Sequence, residues 1–411
     1  MVSSILLGSC SSPARTQPPP LATTTPENQT SIPDATITSD PAAGEVTHLV
    51  IWLPDQLLTR NAPIVQDLIE QQVEKFVSNH PNYRVDIRVK NSSGPANLMD
   101  VLQNTSLAAP ATLPDLVLLT REEMEVAALK GLLIPFDGTT DILAANDWIE
   151  PVRTLATVQG STFGIPAASD ALVYLTPAAE EEILSPLTDG KPILCFLNDP
   201  RAIVPLSLYL ASGGALEDET GKPVLEEMAL VSVLTQINAA ENNGSLPTWI
   251  MDITQPADVY RYFTSGRGNR MLVWYSETAE PILSISRLSA FRDIAGNPAT
   301  MIRGWFWAMT QTDPARRVAS VELVEMLAEE SFLTELDQAA RLLPVRKSPA
   351  VLENPILSAQ ADIVAGGQPI PNGLYLVTIS PILKDSINQL FTGTLTAEEI
   401  ARQAVDRLQR P

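Results

Sequence analysis

The sequence predicts an α/β protein made of two globular units, each with a mostly parallel sheet flanked by helices. Three observations predict it. The chain has 411 residues, more than one ordinary hydrophobic core serves. Its residues are 45% hydrophobic and 18% charged, enough apolar material for a packed interior and too much for bulk disorder. From His48 onward, short apolar runs alternate with amphipathic helical stretches. That alternation implies strands side by side with helices on both faces. Right-handed connections then gather functional loops at the carboxyl ends of the strands.

The elements follow in order. Leu49-Val50-Ile51-Trp52-Leu53 is a short apolar run ended by Pro54-Asp55, the pattern of a buried parallel strand. Pro63 suits the first turn of a helix. Val65, Leu68, Ile69, Val73, Phe76 and Val77 continue it as one apolar stripe, stopped by Asn79-His80-Pro81-Asn82. Val85, Ile87 and Val89 alternate with charged residues, a half-buried strand. Pro114-Asp115 introduces the buried strand Leu116–Leu119. A helix from Glu122 to Leu129 closes at Gly131, which suits a helix C-terminus. Ile193–Leu197 and Met271–Tyr275 are further short strands. Asp313 caps a helix whose first position is Pro314 and whose apolar face is Val318, Val321, Val324, Leu327 and Ala328. Thr396 and Glu399 form a capping box opening a last helix to about Leu408. There is no internal repeat.

Charge and cysteines bound the function. The net charge is −21, from 48 acidic and 27 basic residues. Such a surface repels phosphate backbones, so no nucleic-acid partner is expected. It also repels anionic headgroups, so membrane attachment would have to be covalent or hydrophobic. Cys195 sits in an apolar run and reads as a small buried hydrophobe. A disulfide with Cys10 is not expected. Leu7-Gly8-Ser9-Cys10 resembles a bacterial lipobox, so residues 1–10 read as the remnant of a lipoprotein signal and Cys10 as its lipidation site, although no Lys or Arg precedes it. Residues 11–45 are rich in Pro, Thr and Ser and read as an extended tether. No later stretch has the roughly 20 consecutive apolar residues of a membrane-spanning helix.

Several phrases along the chain add a resemblance. Phe76-Val77-Ser78-Asn79-His80-Pro81-Asn82-Tyr83 is a helix–Asn-Pro–strand junction. Leu113-Pro114-Asp115-Leu116-Val117, then Lys130-Gly131-Leu132-Leu133-Ile134-Pro135-Phe136-Asp137, then Phe163-Gly164-Ile165-Pro166 follow in turn. Phe263-Thr264-Ser265-Gly266-Arg267 precedes Met271, and Arg341-Leu342-Leu343-Pro344-Val345-Arg346 comes late. In this order and spacing they resemble extracellular solute-binding protein family 1, the sugar-binding receptors of ABC importers, over residues 46–409. Two phrases depart from it: Leu175-Thr176-Pro177 follows Tyr174 where the family often has Asn-Lys, and Asn269-Arg270 stands where a small residue is usual.

The resemblance implies a two-lobed, periplasmic-binding-protein-like fold of type II with hinge crossovers. One lobe would be 46–168 plus 285–340, the other 169–284 plus 341–411. It further implies a monomer outside the cytoplasm, anchored by lipidated Cys10, that closes on a small solute, a sugar or oligosaccharide, and presents it to an ABC permease. No cofactor and no metal are expected. A ligand-sensing lipoprotein without transport would use the same fold.

Sugar recognition needs aromatic faces for ring C–H groups and planar polar groups for hydroxyls. The aromatic candidates are Trp52, Trp249, Trp274, Tyr275, Trp305 and Trp307, with both tryptophans of Trp305-Phe306-Trp307 on one strand face. The polar candidates, near predicted strand ends and crossovers, are Asp55, Arg121, Asp170, Glu277 and Arg346. Trp148 reads as structural, and Glu180-Glu181-Glu182 as a solvated helical face. The only histidines are His48 and His80, and no HExxH, G-x-S-x-G or Cys–His motif is present. No enzyme is expected; a glycosidase working through two carboxylates is the least favoured alternative.

Overall fold

The structure, a computed structural model, describes residues 46–409 apart from 59–60, 182–184 and 311–312. Cys10 and the 11–45 segment lie outside the described residues. Twelve strands are present among those described: β1 (Thr47–Pro54), β2 (Tyr83–Lys90), β3 (Leu116–Thr120), β4 (Leu133–Ile134), β5 (Thr157–Val158), β6 (Ser161–Thr162), β7 (Ile165–Pro177), β8 (Ile193–Cys195), β9 (Arg270–Trp274), β10 (Ser286–Ala290), β11 (Met301–Thr310) and β12 (Gln368–Pro369). Ten of them join in a sheet whose main order is β2-β1-β3-β11-β7-β9-β8, with β10 on β7 and with β4 and β12 on β11.

The sheet has two halves that share β7. Twelve of the thirteen β7 residues are buried, which is why this stretch of sequence shows no polar alternation. Midway it changes partners: Ile165–Ala171 pair with β11, and Leu172–Leu175 pair with β9. The outer strands are parallel, β1 with β2 and β3, and β8 with β9. The centre is antiparallel, because β11 and β9 both run against β7. A mostly parallel sheet therefore holds only for the flanks; chain segments that cross between halves return antiparallel.

Local chemistry explains the elements that carry the site. Leu49, Ile51 and Leu53 are fully buried on β1, and the strand gives way at Asp55 to a single helical turn. The Ala62–Asn79 helix has Pro63 in its first turn and packs Val65, Ile69 and Phe76 inward. Thr120 ends β3 and caps the Arg121–Leu129 helix through a reciprocal capping box with Glu123. β11 opposes Phe306 to Pro166 and Trp305 to Ala168, so Ala167 is an extra residue and forms a bulge. Pro166 has no N–H to give to the ladder, which favours the irregularity there.

Several expectations are corrected. Ser286–Ala290 pairs with Val173–Pro177, on the second half rather than the first. The Pro355–Ala365 helix packs on Glu150–Leu155, and β12 pairs with β11, so 349–369 lie with the first half rather than the second. The Gly373–Thr392 and Ala397–Gln409 helices pack with Glu227–Asn243 on the second half. Val318 is 66% exposed; steps of three residues drift round a helix of 3.6 per turn, leaving Val318 about half a turn from Leu327. Glu180 is not on a solvated helical face. It sits in a turn, and its carboxylate accepts from the buried guanidinium of Arg270 and from Lys191 at 3.2 Å.

Candidate ligand-binding cleft

The cleft is built around Arg303, a residue the sequence reading did not single out. Arg303 lies on β11 opposite Asp170 of β7, two residues before the bulge, and its side chain reaches the second half of the sheet. Its Nε donates to Asp170 Oδ2 at 3.0 Å, and its Nη2 lies 2.9 Å from the same oxygen. Asp170 is fully buried on β7 and also accepts from Ser276 N at 3.0 Å, Ser276 Oγ at 2.7 Å and Ala171 N at 3.0 Å. The guanidinium carbon lies 4.1 Å from the centroid of a Trp274 ring, a cation–π contact of about 2 kcal/mol when desolvated. Glu277 Oε1 is 3.7 Å away. Arg303 is thus fixed by residues of β7, β9 and the turn after it.

Three adjoining cavities share Arg303. The first, about 230 Å³, lies on the second half between β9 and the Ile203–Ala211 and Pro256–Thr264 helices, and includes Phe196, Asp199, Trp274 and Glu277. The next, about 250 Å³, lies on the first half; Gln56, Ser92, Thr120, Arg121 and Trp305 line it. Another, about 190 Å³, joins Gln56 and Trp305 to Ser276 and Glu277. Arg201 lines the first two. Its Nη1 donates to Glu122 Oε1 at 2.8 Å. Arg201 follows β8 and Glu122 follows β3, so this ion pair bridges the two halves.

The carboxylates in and beside the cavities have protein partners. Glu123 accepts from Thr120 N and Oγ1, both at 2.9 Å, and burial raises its pKa. Asp199 accepts from Arg201 N at 3.0 Å, and burial raises its pKa as well. Asp55 accepts from Ser92 Oγ at 2.7 Å, a bond that lowers its pKa. Burial lowers the pKa of Arg121, opposed by Glu125 and Glu122.

Among the sequence candidates, Arg121, Trp274, Glu277 and Trp305 line the cleft, and Asp170 holds its central arginine. Asp55 stands one step back, holding the cavity residue Ser92. Tyr275 is buried, its hydroxyl accepting from Gln360 Nε2 at 3.0 Å. Trp52 is 2% exposed with Lys90 over its ring, and Trp307 is fully buried; neither lines these cavities. Arg303, Trp305 and Trp307 alternate along β11, and the strand runs from cleft into core between Trp305 and Trp307. Trp249 packs instead against Tyr262, the ring centroids 5.5 Å apart and the planes tilted by 40°, with Arg267 over both rings. Arg346 clamps Asp147 at 2.6 and 2.9 Å and lies over Trp148, whose role is structural. Beyond Arg303, the sequence reading missed Arg201, Gln56, Ser92, Phe196 and Asp199. Arg303 did carry a signal: a cation in an otherwise apolar strand, two residues from Trp305, therefore on the same face.

No protein-family model matches the chain, and no curated protein sequence matches it. Solved structures do match. The chain is similar to the maltose-binding periplasmic protein MalE from Listeria monocytogenes in complex with maltose, at 14% identity and TM-score 0.70 over 88% of this chain and 97% of that one. It is similar to a cyclo/maltodextrin-binding protein complexed with maltotetraose, at 17% identity and TM-score 0.69 over 90% and 98%. It is also similar to an extracellular solute-binding protein family 1 member from Alicyclobacillus acidocaldarius, at 17% identity and TM-score 0.63 over 89% and 99%. At these identities the likeness establishes the fold. The chain has the two-lobed α/β fold of solute-binding proteins, as its sequence predicts.

Proposed function

We propose that this protein is the solute-binding component of an ABC-type importer, taking a small sugar or oligosaccharide into the cleft and closing on it. The observation that carries the reading is Arg303, fixed by the buried Asp170, standing where cavities from both halves meet. A solute there touches both halves only when they are together, so it shifts the population toward closure. The Arg201–Glu122 bridge is a contact that favours the halves being together. The solved relatives in complex with maltose and maltotetraose support a carbohydrate.

On this reading the first lobe is 46–171 plus 301–371, and the second is 172–300 plus 372–409. Cys10 carries the lipid anchor, residues 11–45 are the tether, and a permease outside this chain receives the solute. Among the described residues no helix is long and apolar enough to cross a membrane. A thermal-shift screen over sugars and polyols tests the proposal. A binder at 100 times its Kd adds about 2.7 kcal/mol of stability, and the reading fails if no sugar or polyol raises Tm.

A further inference from the structure

We infer that the solute is amphipathic: a polyhydroxylated head carrying an apolar alkyl or aryl substituent. This rests on the sugar-binding reading and narrows it. The two larger cleft cavities differ in chemistry. The one on the first half is lined by Gln56, Ser92, Thr120 and Arg121, with further charged residues beside them. Such hydroxyl, amide and guanidinium groups suit a ring with polar substituents around its edge. The cavity on the second half has walls of Leu172, Phe196, Ile203, Val204, Val259 and Leu272. These side chains offer no hydrogen bond. A sugar hydroxyl buried against them would leave its water partners and find none.

The charged residues of the apolar cavity are placed consistently with this. Arg201 and Arg303 are shared with the polar cavity, and Glu277 with the third. They stand at the junctions. Asp199 alone is confined to the apolar side, and it is engaged by Arg201 N. Trp274, the aromatic that would stack on a second sugar ring here, already carries the Arg303 guanidinium over its ring. The apolar cavity is about 230 Å³, against roughly 150 Å³ for an apolar protein cavity that admits benzene. An aryl or short alkyl group fits; its burial needs no polar partner.

The test is calorimetric titration of the full chain with matched methyl and phenyl glycosides of glucose, galactose, mannose and xylose, with maltose and maltotetraose alongside. For the sugar that binds, the phenyl glycoside is expected to bind at least tenfold tighter than the methyl one. Val259→Thr, a near-isosteric change that adds a hydroxyl to the apolar wall, is expected to cut that ratio at least threefold. Phenyl and methyl glycosides of equal affinity, or maltose and maltotetraose binding tighter than any phenyl glycoside, would overturn the inference and leave the sugar-binding reading standing. Failure of every glycoside and oligosaccharide to bind would overturn both.

Discussion

Replacing Arg303 with Met removes the Nε–H that Asp170 Oδ2 accepts and the guanidinium charge whose Nη2 lies 2.9 Å from the same oxygen. Asp170 is fully buried, while the Arg303 side chain is 21% exposed. Removing one partner of a buried ion pair costs about 3–5 kcal/mol, because the other charge is left without compensation. Asp170 keeps Ser276 N, Ser276 Oγ and Ala171 N, so the lower end, about 3 kcal/mol, applies. With roughly 2.1 cal/mol/K per residue of unfolding entropy over about 370 residues, that loss lowers Tm by about 4 °C. Scanning calorimetry on Arg303→Met, Asp170→Asn and the double variant supplies the cycle. The double variant should lose less than the two singles added, with a coupling of about 2 kcal/mol or more. A single-variant shift below about 1 °C, with coupling under about 0.5 kcal/mol, would refute the claim that this pair organises the cleft.

Four further outcomes follow from the same structure. Glu122→Gln breaks the inter-lobe bridge; with the Arg201 side chain 49% exposed and Glu122 28% exposed, the bridge is worth at most about 1 kcal/mol. The open-to-closed ratio should therefore rise about fivefold or less, read by small-angle scattering, and an unchanged radius of gyration would show that the bridge biases nothing. Burial pushes the Cys195 thiol up to about 12, so Ellman's reagent should find no reactive thiol there until the protein is unfolded. Gly164→Ala would place a methyl 2.5 Å from Met124 Sδ and 2.7 Å from Phe306 Cβ; a loss of about 1–3 kcal/mol is expected in urea unfolding. Burial raises the Asp337 carboxyl well above its ordinary range. The folded chain holds that proton more tightly than the unfolded chain, so its contribution to stability falls as pH rises from the ordinary Asp range through the raised value. Asp337→Asn should then gain more Tm over the parent at pH 8 than at pH 5, and an equal difference at both would count against the assignment.

Much of the fold was legible because its local signals agree with its packing. The β1 run, the proline-led Ala62–Asn79 helix, the half-buried β2 and the Thr396–Glu399 capping box are all present. Each is set by residues within one turn or one strand. What was not legible depends on distant partners. The partner change within β7 is invisible in a run buried throughout, and the side on which β10 pairs is decided by Val173–Pro177, more than a hundred residues earlier. The site divides the same way. Trp274 was found at a strand end that faces the cleft, and Trp305 from the alternation of Trp305-Phe306-Trp307 within one strand. Trp52 and Trp307 share the pattern but are core, because adjacent strands and helices cover them. Arg201 lies in the loop after the short β8 strand, where no periodicity marks it.

The central claim is that the two halves close on a solute held at Arg303. Leu129 is 56% exposed on the first half, and Met228 is 84% exposed on the second. A donor and an acceptor dye at these positions report their separation directly by energy transfer. Saturating the protein with the solute that raises its Tm should shift the population toward the shorter separation, and Arg303→Met should suppress that shift at the same concentration. A separation that stays fixed while calorimetry shows the solute bound would contradict closure.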